Sequence, residues 1–410
     1  MFHTLSSQSH PHFQLSTLSG QRYQGDAGAP AVRCANEILE AALDQGASDI
    51  HLEPSKEQLG VRCRVDGVLQ PLKSVPKNLQ EPVLSRFKIL AGMDIGEKRL
   101  PQDGRFQGSW QGRPVDVRVS SLPTLFGEKL VLRLLDREAI QLELESLGFS
   151  RSNLEKLQQA LRQPHGLFLV TGPTGSGKST TLYAALASLD RSGQNIITVE
   201  DPVEYQLPGI SQVTVKPKIG LTFARCLRSI LRQDPDTIMV GEIRDSETAS
   251  MSLQAALTGH RVFSTLHTNT ATGAITRLLD MGVEPYLLAS ALQAVAGQLL
   301  VRRLCPHCKK AYEVGQSDWE SRYLGLEGTH TLYKAVGCDA CRHTGYAGRL
   351  PLQEVLVVTE PLRRAISERR SEGELDALAR AEGLRPLLED GKEKVLAGET
   401  SCAELLRVLG

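Results

Sequence analysis

The run Gly172-Pro173-Thr174-Gly175-Ser176-Gly177-Lys178-Ser179-Thr180 narrows the fold of this chain more than any other feature. It matches G-x-x-x-x-G-K-[ST], follows the apolar segment 167–171 and opens the helical pattern 180–189. A strand, a glycine-rich loop and a helix in that order form a phosphate cradle. Gly175 and Gly177 carry no Cβ, so the backbone can turn its N–H groups inward around an anion. The helix that follows adds the positive end of its dipole. Lys178 is then expected to contact the β- and γ-phosphates of ATP, and the Ser179 hydroxyl to ligate Mg²⁺.

Other apolar runs, 196–199, Thr237–Val240 and 262–263, are short, bounded by polar turns and separated by longer helical patterns. That alternation predicts an α/β fold with a largely parallel sheet. The carboxyl ends of parallel strands share one edge, the edge that carries the phosphate loop. The strand 196–199 runs into Glu200, Asp201 and Glu204. The next runs into Gly241-Glu242, and 262–265 into Leu266-His267-Thr268. Glu200, Asp201, Glu204, Glu242 and His267 are therefore expected to converge near the γ-phosphate.

Phosphoryl transfer to water needs a group that orients the water and cations that stabilise charge. Glu242, closing an apolar strand, is the best candidate for the first role. A strand of this kind commonly ends in an Asp that supports Mg²⁺. Gly241 stands at that point here, so metal support is expected from Glu200, Asp201 or Glu204. A helix cap or a surface ion pair is the plain alternative for each acid. His267 either senses the γ-phosphate or hydrogen-bonds within the core.

A length of 410 residues predicts two or three domains. Residues 1–29 read as a disordered tail, 30–136 as a compact α/β domain and 137–150 as a linker. The phosphate-loop domain follows over 151–300, a cysteine module over 301–349, and charged helices with a Leu/Ala face over 350–410. In the first domain, residues 32–43 carry apolar positions on one helical face. Val61, Cys63 and Val65 alternate before the hairpin signal Asp66-Gly67, and Val115, Val117 and Val119 alternate again. The most apolar stretch, 286–301, is interrupted by Gln293 and Gln298, is too short to span a bilayer and reads as a buried helix.

Lys+Arg and Asp+Glu are both 47, and this balance argues against nucleic acid as a partner. The polar, His/Ser-rich start is unlike a secretory signal, which points to the cytoplasm and makes the eight cysteines thiols or metal ligands rather than disulfides. Cys305-x-x-Cys308 and Cys338-x-x-Cys341 are two knuckles, each able to place two thiolates on one Zn²⁺. They lie farther apart than the usual roughly 15–20 residues, so spacing alone leaves a redox pair open. Cys34, Cys63, Cys226 and Cys402 lack paired spacing.

Arg118 and Arg133 fall in strands of the first domain. Such an arginine forms either an ion pair at home or a charge offered to the nucleotide. Arg228 and Arg232, four apart before residue 234, are expected on one helix face, within reach of phosphates or of a neighbouring subunit.

Four motifs stand in order: GPTGSGKST (172–180), VEDPVEY (199–205), RQDPDTIMVGEIRD (232–245) and TGHRVFSTLHTN (258–269). With GASDIHLEP (46–54), RLPQDGR (99–105) and LPTLFGEKLVLRLLD (122–136) upstream and the two cysteine pairs downstream, the chain resembles the type II secretion and type IV pilus assembly ATPases. The resemblance implies a RecA-like motor domain preceded by a PAS-like domain, a homo-hexameric ring, and work on an inner-membrane platform protein. Membrane association would then be peripheral and through partners only. It makes Glu242 catalytic, the Gly before it normal, the cysteine set a tetracysteine zinc site, and Arg118 and Arg133 charges supplied to nucleotide. The cysteine module favours assembly over the family's retraction motors. Relatives often carry a further N-terminal domain, and the roughly 30 polar residues before the first domain here are too few for one.

Overall fold

The computed structural model describes Gln14–Ser16, residues 29–136 and residues 143–410, in two units, Met1–Ile140 and Gln141–Gly410. The first contains β1 (Gln14–Ser16), α1 (Pro30–Asp44), β2 (Asp49–Pro54), β3 (Gln58–Val65), β4 (Val68–Pro76), α2 (Lys77–Leu90), β5 (Gln102–Trp110), β6 (Arg113–Thr124) and β7 (Gly127–Asp136). Its sheet runs β1-β5-β6-β7-β2-β3-β4, and every neighbouring pair is antiparallel. Cys34, Ala35, Ile38, Leu39 and Ala42 recur at helical spacing and bury one stripe of α1. They pack with Phe87 of α2 against Ile50, Leu52, Val117, Val119 and Leu132 of the sheet. Asp66 and Gly67, at φ 48 and 82, close the expected β3–β4 hairpin.

Most of the tail expected over 1–29 lies outside the described residues. Gln14–Ser16 departs from that expectation, because it pairs with Gln107–Ser109 and covers backbone groups that the edge of β5 would otherwise leave open. Of the linker expected over 137–150, residues 137–142 lie outside the described residues and Leu144–Leu147 forms one short 3-10 turn.

The second unit continues with α3 (Arg151–Leu161), β8 (Gly166–Thr171), α4 (Lys178–Ala187), β9 (Ile196–Glu200), β10 (Ser211–Thr214), α5 (Phe223–Ile230), β11 (Thr237–Val240), α6 (Ser246–Leu257), β12 (Arg261–Leu266), α7 (Ala271–Asp280) and α8 (Pro285–Ala291). It ends with β13 (Leu292–Leu304), β14 (Lys310–Val314), α9 (Trp319–Leu324), β15 (His330–Lys334), β16 (Tyr346–Val357), α10 (Glu360–Ser367), α11 (Glu372–Ala381), α12 (Leu387–Leu396) and α13 (Cys402–Leu409). The main sheet runs β10-β9-β11-β12-β8-β13-β16, parallel throughout except for β16. Successive residues of a strand face opposite layers. Leu167 and Leu169 pack with Leu227, Leu253 and Ile275, whereas Phe168 and Val170 pack with Leu157, Leu182 and Tyr183. No helix among the described residues is long and apolar enough to cross a membrane.

Two expectations are corrected here. Residues 286–301 are not one buried helix: α8 ends at Ala291 and the chain continues as the 13-residue strand β13. A strand buried on both faces is a continuous apolar run, and periodicity does not separate it from a buried helix. Gly297 supports the strand, since a Cβ there would lie 2.8 Å from Cγ of Glu354 on β16. Likewise 350–410 is not helical from its start, because β16 runs to Val357 and completes the sheet before α10 begins.

One charged pair lies deep in the first unit. Lys88 Nζ donates to Glu128 Oε1 at 2.7 Å and to the Glu97 carbonyl at 2.8 Å. Removing one partner of a buried pair leaves an uncompensated charge, worth about 3–5 kcal/mol. Lys88→Met should lower unfolding stability by about that amount in urea titrations, and Lys88→Met with Glu128→Leu should recover most of it. An unchanged midpoint in the single variant would show that Glu128 finds other compensation.

Candidate functional site

The phosphate loop leaves the carboxyl end of β8 and enters α4, as its sequence dictates. Gly172, Gly175 and Gly177 have φ of 150°, 80° and 88°. At Gly172 a Cβ would lie 2.2 Å from the Gln298 carbonyl oxygen, and at Gly177 it would lie 2.6 Å from Gln298 Nε2. Lys178 is buried, and its Nζ donates to the carbonyls of Gly172 at 2.8 Å and Pro173 at 3.0 Å. Burial pushes its ammonium below the ordinary lysine range, and the nearby Glu242 charge opposes that. Ser179 is exposed in the first turn of α4, and Pro173, Thr174 and Gly175 line the open side. The Ser176 hydroxyl is buried with no hydrogen-bond partner among the described residues. A left-handed loop that excludes Cβ atoms, a helix N-terminus and a lysine fit a nucleotide's phosphates.

The parallel register brings the ends of β9, β11 and β12 to this edge. Glu242 Oε1 accepts from Arg244 at 2.6 Å, and its Oε2 lies 3.4 Å from His267 Nε2. Arg244 also reaches Asp201 at 3.5 Å. Asp201, Glu242 and His267 are thus brought together, with Arg244 tying the two acids. The loop holding His267 is fastened to β8, because the Thr268 N–H donates to Thr171 Oγ1 at 3.0 Å.

Glu200 has other neighbours. It is buried, and its carboxylate accepts from the Tyr183 hydroxyl, from Thr198 Oγ1 at 2.5 Å and from Gln212 Nε2 at 3.1 Å. Burial first, and then the Glu200 charge, push the Tyr183 phenol upward, so the hydroxyl stays a donor. Glu200 therefore ties β9 to α4. The Glu204 N–H donates to the same hydroxyl at 3.2 Å, which places Glu204 beside this anchor.

Arg228 lies near the end of α5 and pairs with Glu247 of α6. Arg232 is not on a shared helix face with it, since α5 ends at Ile230; its guanidinium donates to the Arg228 carbonyl at 2.7 Å, a cation placed at a helix C-terminus. In the first unit, Arg105, Arg118, Arg133, Asp49 and Arg64 lie directly across from one another on adjacent strands. Arg133 Nε meets Asp49 at 3.2 Å, and Arg64 lies 4.0 Å from the same carboxylate.

In the sequence Gln298 stands only as an interruption of an apolar run. In the structure its Nε2 donates to the Ser176 carbonyl at 2.6 Å, and its Oε1 accepts from Thr181 Oγ1 at 2.8 Å and Gln353 Nε2 at 3.2 Å. The signal was present, since a lone amide in an apolar run must be hydrogen-bonded where it is buried.

Cys305, Cys308, Cys338 and Cys341 form one cluster, with every sulfur within 4.8 Å of every other. Three of these separations are 3.9, 3.7 and 3.8 Å. Metal–sulfur bonds of about 2.3 Å in a tetrahedron imply sulfurs about 3.8 Å apart, so the donor set fits Zn²⁺. The N–H groups of Gly337, Cys338 and Gly345 point at the sulfurs from 3.2–3.3 Å and favour thiolates. Cys34, Cys63, Cys226 and Cys402 are buried and lie outside this cluster.

The family described as "Type II/IV secretion system protein" matches residues 24–407. The type II secretion system protein HxcR of Pseudomonas aeruginosa is 52% identical over 93% of this chain and 78% of its own length. The type II secretion system ATPase E of Vibrio cholerae is 49% identical over 94% of this chain and 76% of its own. Among solved structures, the Legionella pneumophila ATPase DotB superposes with a TM-score of 0.67 at 20% identity, covering 94% of this chain and 97% of that one, a likeness of fold. The pilus retraction motor PilT, solved with bound ADP, has a TM-score of 0.53 at 27% identity, covering 86% and 95%. With half its residues shared across nearly its whole described length, this chain belongs to the type II/IV secretion system protein family.

Proposed function

We propose that this chain is the ATP-hydrolysing motor of a bacterial type II secretion machine or type IV pilus, working as a homo-hexamer on an inner-membrane platform protein. It acts in the cytoplasm and meets the membrane only through partners. The observation that carries this reading is Glu242, held between Arg244 and His267 at the edge that bears the phosphate loop. In the loop Gly172–Thr180, backbone N–H groups of residues 174–180 hold the phosphates, with Lys178 against the β- and γ-phosphates. Ser179, with support from Asp201 and Glu204, would hold Mg²⁺, which would supply charge neutralisation at the phosphates, whereas Glu200 is committed to the Tyr183 anchor. Glu242 orients the attacking water, and His267 reports the γ-phosphate to the Thr268–Thr171 contact. Arg118 and Arg133, and at a second position Arg228 and Arg232, supply cations when subunits or domains close. The four cysteines hold a structural Zn²⁺, since four protein ligands leave no open position.

Lys178→Ala should lose ATP binding. Glu242→Gln should bind ATP as the parent does and hydrolyse it roughly 10²–10⁴-fold more slowly, because an amide keeps the shape but cannot take a proton. Paired binding and turnover assays read both, and parental turnover in Glu242→Gln would remove it from the chemistry. Turnover stimulated by single- or double-stranded DNA would instead favour a nucleic-acid translocase.

Metal analysis of protein purified under reducing conditions should find about one Zn²⁺ per chain. Cys305→Ser should lower that content and the thermal stability together. A Cys305–Cys308 disulfide and no zinc would mark a redox site.

Arg133→Ala should bind ATP nearly normally and turn over slowly, because the loss is transition-state charge. Mixed with Glu242→Gln chains it should regain part of the activity, since a mixed interface joins an intact Arg133 to an intact Glu242. Absence of rescue in hexamers shown to be mixed would place the contact within one chain.

A further inference from the structure

The phosphate loop is a run of small residues, and something must hold its peptide planes in the binding orientation. Ser176 stands between two glycines, Gly175 at φ 80° and Gly177 at φ 88°, so the Ser176–Gly177 peptide has little steric resistance to turning over. In a planar trans peptide the C=O and the N–H point in opposite directions. Whatever fixes the Ser176 carbonyl therefore also aims the Gly177 N–H.

Gln298 of β13 does this. Its Nε2 donates to the Ser176 carbonyl at 2.6 Å, on the side of the loop that faces the sheet. Gly172 and Gly177 both lack the Cβ that would strike Gln298, so the loop is moulded around this residue. The amide cannot rotate out of place, because its Oε1 accepts from Thr181 Oγ1 on α4 and from Gln353 Nε2 on β16. Gln353 is fixed in turn: its N–H donates to Asp390 at 3.0 Å, and its carbonyl accepts from Asn153 at 2.8 Å. Both glutamines are buried.

We propose that Gln298 is the positioning residue of the phosphate loop, holding the Ser176 carbonyl against the sheet so that the Gly177 N–H faces the phosphates. It touches no phosphate itself. This rests on the reading of residues 172–180 as the ATP site, which Lys178→Ala tests separately.

The experiment is equilibrium binding of a non-hydrolysable ATP analogue to the full chain carrying Gln298→Met, Gln298→Glu or Thr181→Val, with thermal unfolding of each measured without nucleotide. Gln298→Met keeps length and loses the donor, and should weaken binding about ten- to hundredfold. Gln298→Glu sets a carboxylate against the Ser176 carbonyl and should weaken it at least as much. Thr181→Val, an isosteric change that removes one of the two bonds holding the Gln298 Oε1, should weaken it several-fold with the unfolding midpoint nearly unchanged. At saturating ATP each folded variant should approach the parental turnover rate, so that KM rises and kcat holds. Should Gln298→Met fail to fold, Thr181→Val carries the test alone. Parental affinity in whichever variants fold, with Lys178→Ala defective, would overturn the positioning role and leave the site standing. Parental affinity in Lys178→Ala would overturn the site itself.

Discussion

The parallel pairing of β8 with β12 on one side and β13 on the other is the constraint on which the site depends. With Thr171 opposite Leu266 and Gly297 opposite Thr171, the phosphate loop, the His267 loop and Gln298 must emerge at one level. The pairing of β11 with β9 and β12 brings the Gly241-Glu242 turn to the same edge. An antiparallel sheet would send half of these ends to the far side. Chemistry drawn from four strands is possible here because crossover helices return the chain each time to the same starting edge.

Several buried polar groups inside the second unit tie its elements together. Glu200 joins β9 to α4 through Tyr183. Glu354 is buried and its carboxyl is pushed above the ordinary range by burial, which backbone donors only partly oppose. It accepts the N–H of Ala271 at 2.6 Å and of Leu387 at 3.2 Å, at the first residues of α7 and α12, where unpaired donors and helix dipoles favour an acceptor. Asp390 receives Gln353 and Lys394. These bonds join β16, the neighbour of the Gln298 strand, to α12. From α12 the chain reaches the cysteine lobe, where Lys309 donates to the Gly398 carbonyl at 2.7 Å. The lobe is built on the projecting ends of β13 and β16, where Val301 and Leu350 pack with Leu332, Val395 and Leu405. Its knuckles follow the end of β13 and precede the start of β16, so the cysteine cluster sits between two strands of the nucleotide-binding sheet.

Much of this was legible in the order of residues. The phosphate loop is a local motif whose glycines answer a local steric demand, and flanking apolar runs identify its strand and helix. Glu242, Asp201 and His267 were legible as a group because parallel topology is a rule about strand ends. The same rule could not tell which way a side chain points after the strand. Glu200 looked equivalent to Asp201, yet the one-residue step turns it to the opposite face, into the layer of Tyr183. The strand β13 was misread because a run buried on both faces has no period to report. Arg232 was misread because α5 ends two residues before it.

By itself the sequence determined the α/β class, the phosphate loop, the acids and histidine at the strand ends and the two Cys-x-x-Cys pairs, since each depends on residue type and spacing within a short window. Only the tertiary structure decided that Gln298 braces the loop from 122 residues away, that Glu200 is an anchor, and that Arg133 faces Asp49 across 84 residues. Those contacts follow from strand order and register, which arise when non-local apolar layers pack, and no local window of sequence contains them.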